Sequence, residues 1–140
     1  GQMLGIISDA ADKGFEISIL LTTDNVRLQE QTFRRALSGL INFCVCSEND
    51  EIRFIENRMR KPVLIILKKN YRILEKWRNN LSSSGFLNSG RPIFIVDDEG
   101  DAASLNTKVN KNEISTINKH LNNIKELSTS SFYLQVTATP

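Results

Sequence analysis

Apolar residues along the chain form short continuous runs that alternate with stretches where they recur every three or four residues. Two of the runs, 63–67 and 93–96, are typical of strands buried on both faces of a parallel sheet. Similar runs predict strands at 17–21, 43–47 and 132–136. Helical spacing predicts four helices, carried by Met3, Leu4, Ile7, Ala10 and Ala11; by Val26, Phe33, Leu37 and Leu40; by Leu74, Trp77 and Leu81; and by Ile114, Ile117, Leu121, Ile124 and Leu127. The alternation predicts an α/β fold, a parallel sheet with helices on both faces.

Residues between these runs predict where the elements end. Lys13-Gly14 predicts a left-handed turn that ends the first helix, and the segment 22–25 offers several N-cap residues for the second. The alternation over residues 51–54 predicts a short edge strand, and residues 82–90 predict a loop.

The composition fits one globular domain. The 140 residues include 18 Lys+Arg against 16 Asp+Glu, for a net charge of +2, and 40% are hydrophobic. These values exclude a polycationic tail and a low-complexity chain. No apolar run approaches the roughly 20 residues that span a bilayer, and no secretory leader opens the chain, so we expect a cytoplasmic protein with no membrane partner. The sequence begins within the apolar spacing of the first predicted helix and stops four residues after the last predicted strand. We therefore expect residues 1–140 to be a single partial domain, cut at both ends from a longer chain.

Candidate chemistry lies where the strands end, because ligands of parallel α/β sheets bind at the carboxyl ends of the strands. Four carboxylates occur within Asp97–Asp101, directly after the run 93–96. Carboxylates this close repel one another unless a cation or solvent compensates them. A solvated acidic turn is one interpretation. The position after a buried strand favours the other, a Mg²⁺ site of a nucleotide-hydrolysing fold.

Several segments resemble a known family. Ile93-Phe94-Ile95-Val96-Asp97-Asp98-Glu99-Gly100-Asp101 resembles the Walker B or DEAD-type motif of superfamily-two helicases, and Thr137-Ala138-Thr139-Pro140 resembles their motif three. The wider pattern over 97–107, with Thr116-Ile117-Asn118 and the final Thr-Ala-Thr-Pro, is similar to an endonuclease family called the Z-one domain. Segments 28–32 with 34–35, and 68–70, are similar to it as well. That family joins a helicase-like ATPase core to bacterial restriction and defence proteins, so the resemblance implies a RecA-like (P-loop NTPase-type) lobe of an ATP-driven motor acting on DNA.

The resemblance also implies roles for individual residues. Asp98 corresponds to the Mg²⁺ ligand and Glu99 to the base that orients the attacking water. Asp101 would couple the nucleotide site to motif three through Thr137 and Thr139. Asp97 has no counterpart role, so we expect its replacement to be mild. The candidates for contact with the nucleic-acid backbone are Thr22, Thr23, Asn25, Arg27, Gln31, Lys68 and Lys69.

The arginines also have a plain interpretation. A solvated helix face would suit Arg27, Arg34 and Arg35 equally well. The net charge of only +2 does not favour contact with a nucleic acid over this interpretation.

The match departs from the family at its start. The family's phosphate-binding loop, which ends in Gly-Lys-Thr or Gly-Lys-Ser, would lie just before Gly1. We expect Mg²⁺ and ATP to be cofactors of the longer protein, with DNA and a second RecA-like lobe of the same polypeptide as partners. Without the loop's amides and lysine, we expect residues 1–140 alone to hold neither cofactor tightly and to be inactive.

Two other functions stay open. A receiver-like regulatory domain would bind Mg²⁺ and be phosphorylated on an aspartate, but it needs its acidic pair after the first strand and a lysine after a later one. A Toprim-like site for DNA cleavage needs a second Asp-x-Asp after a following strand, and residues 132–140 contain no acid. His120, Cys44 and Cys46 are expected to be structural, because no second histidine or basic partner accompanies them.

Overall fold

The structure, a computed structural model, describes residues 2–22, 26–57, 60–83, 92–98, 118–119, 121–124, 126 and 132–136. The strands in this part of the chain are β1 (Ile17–Thr22), β2 (Cys44–Cys46), β3 (Val63–Lys68), β4 (Ile93–Asp98) and β5 (Phe132–Val136). Its helices are α1 (Gln2–Asp12), α2 (Val26–Gly39), α3 (Glu51–Asn57) and α4 (Tyr71–Ser83), and residues 121–124 are helical as well. None of the helices described is long and apolar enough to cross a bilayer.

The strands form one sheet in the order β2-β3-β1-β4-β5. Every neighbouring pair is parallel, so all five carboxyl ends open onto one edge, which we call the carboxyl edge. The opposite edge, where the strands begin, is the amino edge. This arrangement confirms the predicted fold class, and it puts the ends of the predicted strands, near Leu21, Leu67, Val96 and Val136, on one edge.

Each side of the sheet is covered by its own helices. Leu20, Ile66 and Val96 pack with residues of α1 and α2, forming the α1/α2 face. The alternate residues pack with α3, α4 and the segment 121–124, forming the α3/α4 face. Fully burying one such aliphatic side chain stabilises the fold by about 1.5–3 kcal/mol, which accounts for the continuous apolar runs.

The turn after α1 follows its predicted geometry. Gly14 has a φ of 106°, in the left-handed region. Its N–H donates to the carbonyl of Ala11 at 3.1 Å, and the N–H of Phe15 donates to that of Ala10 at 3.0 Å. These two bonds form a Schellman motif, which satisfies the last carbonyls of the helix and directs the chain into β1.

The edge strand predicted over residues 51–54 is wrong, because this segment begins α3. The carbonyl of Asp50 accepts the N–H of Phe54 at 3.0 Å, and Phe54 alone is fully buried in the helix. Its ring meets Trp77 edge-on, with centroids 5.6 Å apart. Four alternating residues are too few to separate a period of 2 from one of 3.6.

The helical faces were predicted with uneven success. In α4, Leu74, Trp77 and Leu81 are buried as expected. In α2, the predicted positions Val26 and Leu37 are 58% and 48% exposed. The predicted positions Phe33 and Leu40 do pack on the sheet, together with Gln29 and Ala36, which were not predicted. Of the last predicted helix, Leu121 and Ile124 are buried, and its three other predicted apolar positions lie outside the described residues. The predicted loop 82–90 begins too early, because residues 82 and 83 belong to α4, and its remaining residues lie outside the described part of the chain.

Candidate functional site

The strand β4 ends at the carboxyl edge with two adjacent carboxylates. Asp97 is in register with Leu21 of β1 and Gln135 of β5, and Asp98 is in register with Val136. Successive side chains of a strand point to opposite faces. Asp97 therefore shares the α3/α4 face with Leu21, whereas Asp98 lies on the α1/α2 face.

Asp97 is enclosed by two partners. Its Oδ1 forms an ion pair with the Nζ of Lys69, and its Oδ2 accepts a hydrogen bond from the hydroxyl of Tyr133. The side chains of Lys69 and Asp97 are both 5% exposed. The backbone N–H of Lys69 also donates to the carbonyl of Thr22 at 2.9 Å. We call Lys69, Asp97 and Tyr133 the edge triad.

Asp98 is half-buried at the end of β4. Mg²⁺ is commonly held by one or two carboxylates together with water and substrate phosphates, so a carboxylate in this position fits one of its ligands. Within the part of the chain that is described, no three acidic, histidine or cysteine side chains are grouped closely enough to hold a metal ion on their own. The described residues thus offer one Mg²⁺ ligand and not a complete protein cage.

The other predicted residues of the nucleotide site, Glu99, Asp101, Thr137 and Thr139, lie outside the described residues. The strands that precede them are described. Because Asp98 and Val136 are in register, the chain leaves β4 and β5 at the same level of the carboxyl edge.

Three of the predicted nucleic-acid contacts lie at or near this edge with some exposure. Arg27 and Gln31 are exposed on α2, and their spacing of four residues puts them on one side of the helix. Lys68 is partly buried and forms an ion pair with Glu48 at 3.3 Å. An open cleft between α2 and the turn after β2 is lined in part by Lys68, Glu48 and Arg34. Thr23 and Asn25 lie outside the described residues.

Two of the predicted contacts do not fit their surroundings. Thr22 is 2% exposed, and its hydroxyl donates to the carbonyl of Leu67 at 3.5 Å. Lys69 is 7% exposed, and its ammonium group pairs with Asp97. Neither side chain is presented to an external phosphate. Strand order bears on Lys69, because β3 and β4 lie on either side of β1 and the lysine reaches across the end of β1 to Asp97.

The edge triad is the feature that sequence reasoning missed. A lysine after one strand and an aspartate at the end of another are visible in the sequence. Their meeting depends on the order β3-β1-β4, which the apolar runs do not reveal. An aspartate directly before the matched metal ligand was the only available signal.

The cysteines lie together on the α3/α4 face. Cys44 and Cys46 are buried and free, and their sulfurs are 3.7 Å apart. Burial raises the pKa of the Cys46 thiol, and the neighbouring Cys44 raises it further. A thiol held in its neutral form is a poor nucleophile, so Cys46 suits the structural role expected of it. His120 lies outside the described residues.

The sequence matches no family model and no curated protein. Two solved structures resemble the fold. One is the solution NMR structure of a de novo designed PLOOP2X3_50 fold protein, 12% identical, covering 86% of this chain and 81% of that chain with a TM-score of 0.47. The other is a de novo designed protein of P-loop NTPase fold, 15% identical, covering 89% of this chain and 80% of that chain with a TM-score of 0.43. Both likenesses are distant, and the fold described above rests on the sheet itself.

Proposed function

We propose that this chain is part of an ATP-hydrolysing, helicase-like motor that acts on DNA, within a bacterial restriction or defence protein of the Z-one domain type. The observation that carries the proposal is the position of Asp98, half-buried at the carboxyl end of β4 on the α1/α2 face. This edge of a parallel α/β sheet is where nucleotides bind. The resemblance of the surrounding residues to a Walker B motif supports the same assignment.

The proposed chemistry uses carboxylates of different roles. Asp98 would hold Mg²⁺, which neutralises charge on the phosphates when it is bound. Glu99 would orient the attacking water and accept its proton. Asp101 would connect this site to Thr137 and Thr139 after β5. The phosphate-binding loop and the second lobe belong to the rest of the proposed polypeptide, which would work in the cytoplasm.

The proposed DNA contact is supported by the charge of α2. This helix contains three arginines and one glutamate, a charge of +2, and Arg27 and Gln31 are exposed on it. Phosphate contacts of this type position a protein on DNA without reading its sequence. Lys68 would contribute from the end of β3 if its ion pair with Glu48 exchanged for a phosphate.

The two alternatives have less support. A receiver-like domain needs an aspartate that a phosphoryl donor can reach, whereas Asp97 is 3% exposed, with one oxygen paired with Lys69 and the other hydrogen-bonded by Tyr133. A Toprim-like site needs a second Asp-x-Asp directly after the next strand, and residues 132–140 contain no acid.

Two substitutions in the full polypeptide, with its phosphate-binding loop, test the proposal. Glu99→Gln should reduce ATP turnover by about 100-fold or more while ATP binding stays nearly intact, because the amide cannot accept a proton. Asp98→Asn should also weaken Mg²⁺-dependent binding of ATP. Turnover and nucleotide binding are measured separately for each variant.

The matched control is Asp12→Asn, the same chemical change at an exposed carboxylate where α1 ends, next to the amino edge. It should leave both measurements unchanged. Normal turnover by Glu99→Gln would remove the assignment of the base. Effects of Glu99→Gln and Asp98→Asn no larger than that of the control would favour a solvated acidic turn.

A further inference from the structure

The edge triad connects three strands across a fourth. Lys69 follows β3, Asp97 belongs to β4 and Tyr133 to β5, and β1 lies between β3 and β4. The side chain of Lys69 therefore passes over the end of β1, to which its own backbone is bonded. One carboxylate thus joins the ends of β3 and β4 to Tyr133, which lies near the start of β5, in register with Ile95.

Stability alone does not account for charges in this position. A buried ion pair carries a desolvation penalty that apolar side chains of similar volume avoid. The neighbouring positions on this face, Leu21, Leu67 and Ile95, are all apolar and buried. Apolar side chains of similar volume in place of the triad would stabilise this core at least as well.

The triad can determine which of the two aspartates at the end of β4 faces each side of the sheet. β4 ends in two identical residues, and a slip of one position in its register would exchange the faces of Asp97 and Asp98. A lysine and a tyrosine hydroxyl on the α3/α4 face select one of the two aspartates and orient both of its oxygens. The other aspartate is then turned to the α1/α2 face.

We propose that Asp97 is a positioning residue, held by Lys69 and Tyr133 so that Asp98 faces the nucleotide site. This inference rests on the proposed function, because it assigns Asp98 the Mg²⁺. It replaces the expectation that substitution of Asp97 is mild. It also gives Lys69 a role inside the protein in place of a contact with DNA.

The first test measures the coupling within the triad, by urea unfolding of the 140-residue chain. Asp97→Asn and Lys69→Met should each lower the midpoint, because each leaves a buried polar group without its partner. The double variant Lys69→Met/Asp97→Asn should recover most of the loss, because no unpaired charge remains. A double variant whose loss equals the sum of the two single losses would show that the residues are not coupled and would overturn the proposal.

The second test measures positioning in the double variant, which is the stable form without the ion pair. The probe is Mn²⁺, standing in for Mg²⁺, titrated into the full polypeptide with a non-hydrolysable ATP analogue. Loss of a group that orients a metal ligand typically weakens metal binding about 10–100-fold, and we expect that range here. A merely structural pair would leave the affinity for Mn²⁺ unchanged once stability is recovered.

The matched control removes a different ion pair, between Lys76 of α4 and Glu51 of α3, with side chains 45% and 27% exposed. Lys76→Met/Glu51→Gln should leave Mn²⁺ binding unchanged. Unchanged Mn²⁺ affinity in the triad double variant would overturn the positioning role alone. If the unaltered polypeptide binds no Mn²⁺ with the analogue, the proposed nucleotide site fails and the metal-positioning role fails with it, whereas the urea experiment still reports whether the triad is coupled.

Discussion

The effect of burial on a titratable side chain in this protein depends on the charged or polar groups next to it. Asp97 and Lys69 are buried as a pair of opposite charges. Burial raises the pKa of the Cys46 thiol, and this effect outweighs the opposite effect of the positive charge of Arg53. Glu51 lies on the outer side of the α3/α4 layer, and there the hydrogen bond from Lys76 lowers the pKa of its carboxyl group.

The raised pKa of Cys46 predicts how stability changes in alkaline solution. The unfolded chain loses the thiol proton near the ordinary pKa of about 8.5, whereas the folded chain keeps it. Stability is therefore fully present below that pH and falls above it, by at most about 1.4 kcal/mol per pH unit from this one group. Urea unfolding between pH 7 and pH 10 measures the slope.

Substitutions of the two cysteines separate the contribution of Cys46 to the slope of stability against pH from the contributions of other titratable groups. Cys46→Ala should be less sensitive to alkaline pH than the unaltered chain, even if it is less stable at every pH. Cys44→Ala should keep most of the slope, because burial is the largest cause of the raised pKa of Cys46. The same alkaline slope in Cys46→Ala and the unaltered chain would show that its thiol does not resist ionisation.

At the scale of elements, α2 has two chemically different sides. One side consists of Gln29, Phe33 and Ala36, continued by Leu40 just after the helix, and packs on the sheet; the amide of Gln29 donates to the carbonyl of Ile66 at 3.4 Å. The exposed remainder carries the arginines and Gln31. The sequence predicted the helix and the inward positions Phe33 and Leu40, but not Gln29, because hydropathy does not assign a glutamine to a core position.

The exposed side of α2 gives a prediction for DNA binding. Arg27→Gln in the full polypeptide should weaken binding to all DNA sequences alike. It should also lower the slope of log affinity against log salt by about one unit, the value of one lost phosphate contact. Fluorescence anisotropy at several salt concentrations measures both quantities.

The control for this prediction is Arg60→Gln, at an exposed arginine in the turn before β3, next to the amino edge. Its salt slope should equal that of the unaltered protein. If Arg27→Gln also leaves the slope unchanged, Arg27 belongs to the solvated surface and α2 loses its proposed role.

At the scale of the whole molecule, the sheet was largely predictable. The runs 63–67 and 93–96 were long and apolar enough to identify buried parallel strands, and the handedness of crossover connections then put their ends on one edge. The location of Asp98 at that edge followed from the same argument. The segment 51–54 was misread because it is short and because Asp50 begins a helix there.

The composition of the site was less predictable than its location. Alternation along β4 implied that Asp97 and Asp98 face opposite ways, but which helices cover each face depends on the path of the whole chain. The contact between Lys69 and Asp97 depends on strand order, a long-range property that local patterns do not contain. Two predicted DNA contacts, Thr22 and Lys69, therefore turned out to be buried.

The central claim is that the carboxyl edge around Asp98 is the nucleotide site of a DNA-acting motor. The rate of ATP hydrolysis by the full polypeptide, with and without DNA, tests it most directly. We predict hydrolysis that DNA stimulates and that Asp98→Asn reduces by about 100-fold or more, since a bound metal supplies several kcal/mol of transition-state stabilisation. Asp12→Asn should hydrolyse ATP normally. Hydrolysis by Asp98→Asn at the unaltered, DNA-stimulated rate would contradict the claim.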